Sequence, residues 1–212
     1  MEGDLAARRK AATYLEKQPR RSMNGYLQGW LKDPRTVEIL CRAVDDADPS
    51  VADKAIACLG HIADRYGYVD LDVYGRIASK FECAGRSQRV TMAAAVCPFP
   101  TADRWPLVLA VLGDKPTRFA KMVLGRNVYA HGADMPEVPK RHLSALLANM
   151  LDGEKNGDVC HILLNALQTI GDRSTLDRLS RLKLPPRSKG PKEDLVRVMA
   201  TIEARTSAAI SK

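Results

Sequence analysis

Residues Ala55–Arg65 read AIACLGHIADR, and residues Leu163–Arg173 read LLNALQTIGDR. Leu59 aligns with Leu167, Ile62 with Ile170, Asp64 with Asp172 and Arg65 with Arg173. In both stretches the apolar residues recur three and four apart, which gathers them on one face of an α-helix. The separation equals three periods of about 36 residues, the length of a helix pair with its turns. Upstream, Val37, Leu40, Cys41 and Val44 line up with Leu143, Leu146, Leu147 and Met150 after a short allowance in the Asp152–Asp158 turn. The repeated unit is therefore a pair of helices.

The same spacing continues in both directions. Met23, Tyr26, Leu27, Trp30 and Leu31 form one stripe. Asp33–Pro34 and Asp48–Pro49 each read as a helix cap followed by a first-turn proline, ahead of Val37–Val44 and Val51–Ile62. Tyr74, Ile77, Ala78 and Phe81 predict a short helix after Asp70, and Phe119, Met122 and Val123 one that begins near Lys115–Pro116. Later stripes are Leu143–Leu151 after Pro139, Val159–Ile170 ended by Gly171, and Leu195–Ile202. No sustained alternation of period two is found, so the expected class is all-α. The expected architecture is an α-solenoid of about five antiparallel helix pairs forming one domain over 1–212. Residues 1–32 would be capping helices, 33–206 repeats and 207–212 a frayed tail. The run KLPPRSKGPK, 183–192, is too rich in Pro and Gly for regular structure.

Composition agrees with a helical globular protein. Hydrophobic residues make up 45%, charged residues 27% and aromatic residues only 5%, too apolar for disorder and short of the aromatic content that sheets favour. No stretch reaches the roughly 20 apolar residues of a membrane span. Met1–Gln18 carries Glu2, Asp4, Arg8, Arg9 and Lys10 without an apolar run behind them, so a secretory leader is not expected. Five scattered cysteines without a CxxC pair point to free thiols in a reducing cytoplasm. The net charge of +8 is unevenly placed: residues 33–72 sum to −5 and residues 73–150 to +6.

Asp45–Ala57, DDADPSVADKAIA, resembles the HEAT-repeat junction, in which an Asp-x-x-Pro-x-Val turn launches a second helix. Ala166–Leu179, ALQTIGDRSTLDRL, is similar to the HEAT-like repeats first described in phycobilin lyases. The resemblance covers 33–206 and rests on these two units. It implies stacked helix pairs with a concave face lined by the second helices, used for binding proteins or nucleic acids. It implies no catalytic residues. Small solenoids of this kind include regulators and toxin-neutralising immunity proteins.

Chemistry-bearing clusters are sparse. Cys160 and His161 are adjacent, hence about 100° apart on a helix, and read as a core thiol beside a boundary histidine. His61, His131, His142 and His161 form no HxxxH or HExxH pair, and the Asn127–Lys140 segment reads as a solvated loop, so no metal is expected. No phosphate-binding glycine loop or cofactor motif is present. Arg86, Arg89, Lys115, Arg118 and Lys121 would form a basic strip on the second helices, with Arg126 at its end; a solvated polar face is the favoured account of them. Trp30 falls on an apolar stripe and reads as core. Trp105, beside Pro106 at a helix start, reads as a part-exposed contact residue. These features favour a non-enzymatic protein-binding adaptor or inhibitor, with nucleic-acid binding through the basic strip as the alternative and an enzyme third.

Overall fold

The computed structural model describes residues 3–21, 29–182 and 189–210, and among them eleven α-helices and no strand are found. The chain forms two compact units, Met1–Leu107 and Val108–Lys212. Met23, Tyr26 and Leu27 lie outside the described residues, as does 183–188 of the expected Pro/Gly-rich segment; Lys189–Lys192 begins a helix instead.

The first unit contains α1 (Leu5–Arg21), a 3-10 turn at Gly29–Lys32, α2 (Pro34–Val44), α3 (Pro49–Tyr66), α4 (Leu71–Ala78), α5 (Arg86–Val96) and the start of α6 (Arg104–Gly113). Aspartates open four of these helices, Asp4 accepting from the Ala7 amide at 2.8 Å at the start of α1. Asp33 accepts from the Arg35 amide at 2.8 Å, Asp48 from Val51 at 3.1 Å and Asp70 from Asp72 at 2.8 Å. Each satisfies a backbone donor that the first helical turn leaves unpaired. α3 is the centre of the unit, packing on α1, α2 and α5, while α2 also meets α4. The result is two layers: α1, α3 and α5 side by side, with α2 and α4 across them. Gly60 permits the close approach of α3 to α5, since a β-carbon there would lie 2.7 Å from that of Ala95. Arg8–Asp46 at 2.9 Å and Arg9–Asp48 at 2.6 Å tie α1 to the α2–α3 turn.

The second unit repeats this layering with α7 (Arg118–His131), α8 (Glu137–Leu151), α9 (Gly157–Ile170), α10 (Arg173–Leu179) and α11 (Lys189–Ile210). α9 packs on α7, α8 and α11, and α10 packs on α8 and α11. Glycines again sit on the seams. A β-carbon at Gly125 would lie 2.7 Å from Ile162, at Gly132 2.8 Å from Ile170, and at Gly171 2.6 Å from Ile202.

Several expectations need correction. Trp105 is fully buried whereas Trp30 is 41% exposed, the reverse of their expected placement. The Arg104 guanidinium lies 4.6 Å from the Trp105 ring and donates to the Thr101 carbonyl at 2.7 Å, so the start of α6 is a packed cluster. Asn127–His131 is the last turn of α7 and Glu137–Lys140 the first of α8, leaving a shorter turn than the loop expected there. Of the tail expected at 207–212, residues 207–210 belong to α11, and 211–212 lie outside the described residues. The two matched stretches also part company at their ends. Leu59, Leu167, Ile62 and Ile170 are all buried. Asp64 stays within α3, however, whereas Asp172 caps α10 after Gly171 has ended α9. Equivalent apolar positions thus do not make the polar letters equivalent.

Candidate functional site

The helix α7 carries two apolar faces. Ala120, Leu124, Gly125 and Val128 are buried. Phe119, Met122 and Val123, the stripe expected to be core, lie on the other side: Phe119 is 64% exposed, and Met122 and Val123 are half-buried. Tyr129, 52% exposed, and the exposed Arg126 extend that outer face along the helix. Helical geometry explains the choice. The inner face holds the small residues Ala120 and Gly125, and at Gly125 α7 comes close against the Ile162 side chain of α9; Phe119 and Met122 could not be seated there. Thr169 of α9 donates to the Tyr129 carbonyl at 3.1 Å and holds the far end of α7 in place.

The same packing reassigns the basic residues. Lys121 pairs with Glu154 at 2.8 Å and Arg118 with Asp158 at 3.3 Å, both acids lying at the approach to and start of α9. Burial raises the Glu154 carboxyl, but Lys121 and the amides of Asn156 and Lys155 outweigh it and hold it below the usual range. Arg89 is committed elsewhere: its guanidinium donates to the carbonyls of Phe81 and Ala84 at 3.0 Å and of Glu82 at 2.6 Å, bracketing the turn between α4 and α5. Arg86 is exposed in the first turn of α5. Lys115 sits in the turn before α7 with a φ of 42°, the left-handed region. Of the expected contact residues, Arg126 is thus the one placed on the outer face of α7, and Trp105 is inside the protein.

A second polar constellation spans α9 and α11. His161 Nδ1 lies 2.5 Å from Asp194, Asn165 Nδ2 lies 3.0 Å from His161 Nε2, and Arg197 donates to Asn165 at 2.7 Å and Asp194 at 3.0 Å. Arg205 donates to the carbonyls of Gln168 and Thr169 at 2.8 Å and to that of Gly171. Burial raises the Asp194 carboxyl, while His161 and Arg197 more than offset this and hold it below the usual range. The donors and acceptors satisfy one another, so the network fastens α11 to the end of α9. Cys160 faces the interior and its thiol donates to the Glu154 carbonyl at 3.7 Å, separate from His161.

A groove between α2 and α4 is lined by Val37, Cys41, Tyr68, Leu71 and Val73 and crossed by Asp45 bonds to Arg76 at 2.5 Å and Lys80 at 2.6 Å. These bonds hold the Asp45 carboxyl below its usual range, whereas burial pushes the Cys41 thiol up. Among the described residues no group of His, Cys, Asp and Glu is arranged to hold a metal, and no helix is long and apolar enough to cross a membrane. Comparison with family models, with curated proteins and with solved structures finds no match to this chain.

Sequence reasoning missed the outer face of α7 because it assigned one apolar stripe per helix. The available signal was the pairing of Ala120, Leu124 and Val128 with Gly125, a second stripe built from smaller residues.

Proposed function

We propose that this chain is a non-enzymatic protein-binding repeat protein of the HEAT-like kind, an adaptor or inhibitor that holds its partner through the outer face of α7. The observation that carries the reading is the exposure of Phe119 and Tyr129, with the half-buried Met122 between them, around Arg126 on a helix whose other face is fully used in packing. Large aromatic residues with an arginine are the composition of interface anchors, and exposed apolar side chains grouped on one face and rimmed by polar residues mark interaction sites. The layering within each unit supports the repeat reading: consecutive helices pair, as α2 with α3, α4 with α5 and α8 with α9, while α1, α3 and α5 form one layer of the first unit and α7, α9 and α11 one layer of the second. Five such pairs in a single α-solenoid over 33–206 would place α7 among the second helices, which in HEAT-like stacks line the concave face.

Nucleic-acid binding is the weaker alternative, because Arg89, Lys121 and Arg118 are engaged with carbonyls and carboxylates of the chain itself. Site-specific photo-crosslinking tests the proposal. A benzophenone amino acid placed at Phe119 or Tyr129, in cells that make the protein, is expected to yield a discrete protein adduct. The same group at Val196, exposed on α11, is expected to yield none. Absence of adducts from α7, or equal adducts from all three positions, overturns the reading.

A further inference from the structure

We infer that the outer face of α7 takes an acidic amphipathic helix of a different protein, with a partner carboxylate seated on Arg126. This rests on the binding role proposed above and names the chemistry of its guest.

The shape of the face comes first. Phe119, Met122, Arg126 and Tyr129 follow one another at the three- and four-residue spacing of a single helical ridge. That ridge extends about 15 Å along the axis at the usual rise per residue. A straight ridge of this length fits between the ridges of another helix of about three turns. No strand edge is present among the described residues that would favour an extended peptide.

Charge then selects the guest. Arg126 stands in the middle of the ridge, exposed, and no ion pair of it is found among the described residues. The neighbouring carboxylates of Glu154 and Asp158 are held by Lys121 and Arg118. Asp114 and Asp134 lie in the turns beyond the two ends of α7. Covering the ridge with an uncharged helix would strip water from Arg126 without replacing it, which is unfavourable. A second copy of this chain fares worse, because a two-fold pairing of α7 with itself brings two Arg126 side chains together without an acid. An acidic helix supplies both the apolar surface and the missing counter-charge.

Two peptides of about 15 residues, four helical turns, test this by fluorescence anisotropy with the full chain. Both carry the same Leu/Phe stripe, flanked by Glu in one and by Lys in the other. The Glu peptide is expected to bind about tenfold or more tightly than the Lys peptide. Arg126→Glu is expected to reverse that order, Phe119→Ala to weaken the Glu peptide, and Val196→Ala to change nothing. These positions are exposed, and a far-ultraviolet spectrum verifies that each variant is folded. Equal affinity for the two peptides, binding of neither, or indifference to Arg126→Glu overturns the inference. So does a concentration-dependent dimer that Tyr129→Ala dissociates, or co-sedimentation with phosphatidylglycerol vesicles that Phe119→Ala abolishes. Adducts at Phe119 that persist when the peptides show no charge preference would sink the acidic guest alone. Loss of the adducts would remove the binding role itself.

Discussion

Trp105 shows what a single residue owes to its surroundings. Its ring is wholly buried under the Arg104 guanidinium, and its indole N–H finds no acceptor among the described residues. Trp105→Ala is expected to cost about 3–5 kcal/mol in urea denaturation through cavity formation. Trp30→Ala, at a part-exposed position, is expected to stay within about 0.5 kcal/mol. The opposite order would show the two side chains to be exchanged in role. Asp53 on α3 makes a second test. Burial raises its carboxyl above the ordinary value, Glu16 adds to this, and the Thr91 hydrogen bond and Lys54 only partly oppose it. The fold therefore disfavours the charged form. Stability at this site is complete below the unfolded pKa of about 4 and is lost as pH rises through the raised folded value. Asp53→Asn is expected to melt at a higher temperature than the native chain at pH 7, with the gap closing towards pH 3. A gap that widens in acid would contradict the assignment.

At the scale of helices, glycine decides how closely neighbours can approach. Three of them separate packing from propensity. In a helix interior Gly→Ala alone stabilises by about 0.5–1 kcal/mol. Gly75 in α4 has nothing within 4 Å of a β-carbon, and Gly75→Ala is expected to show that gain. At Gly125 the new carbon meets the Ile162 side chain, and at Gly60 it meets the Ala95 backbone at 2.5 Å. Gly125→Ala is expected to cost about 1 kcal/mol and Gly60→Ala up to about 3 kcal/mol, because a side chain can yield and a backbone cannot. Chemical denaturation of the three variants should rank them in that order. A stabilising Gly60→Ala would mean that α3 and α5 are further apart than described.

For the whole molecule, net charge alone would suggest an affinity for nucleic acid. A charge of +8 attracts any polyanion at low salt. The geometry argues that this attraction is diffuse, since Arg118 and Lys121 spend their charge on Asp158 and Glu154. Duplex DNA is expected to bind weakly at low salt and to dissociate as salt approaches about 0.15 M. Arg118→Ala combined with Lys121→Ala is expected to change the dissociation constant by less than roughly twofold. A tenfold loss with a flatter salt slope would restore the basic strip as a binding surface.

The helices themselves were legible in the residues, because a helix start is a local affair. Asp33–Pro34 and Asp48–Pro49 need only their own first turns to cap a helix, and the stripes of α3 and α9 name their buried residues without help from a neighbour. Packing decided the rest. α7 holds two greasy faces, and which one turns inward depends on where α9 can come close, a contact made across 40 residues of chain. Likewise, whether a cation is available to a partner depends on whether a carboxylate from the next helix reaches it first. Periodicity reports what a side chain is, and only the tertiary structure reports what stands opposite.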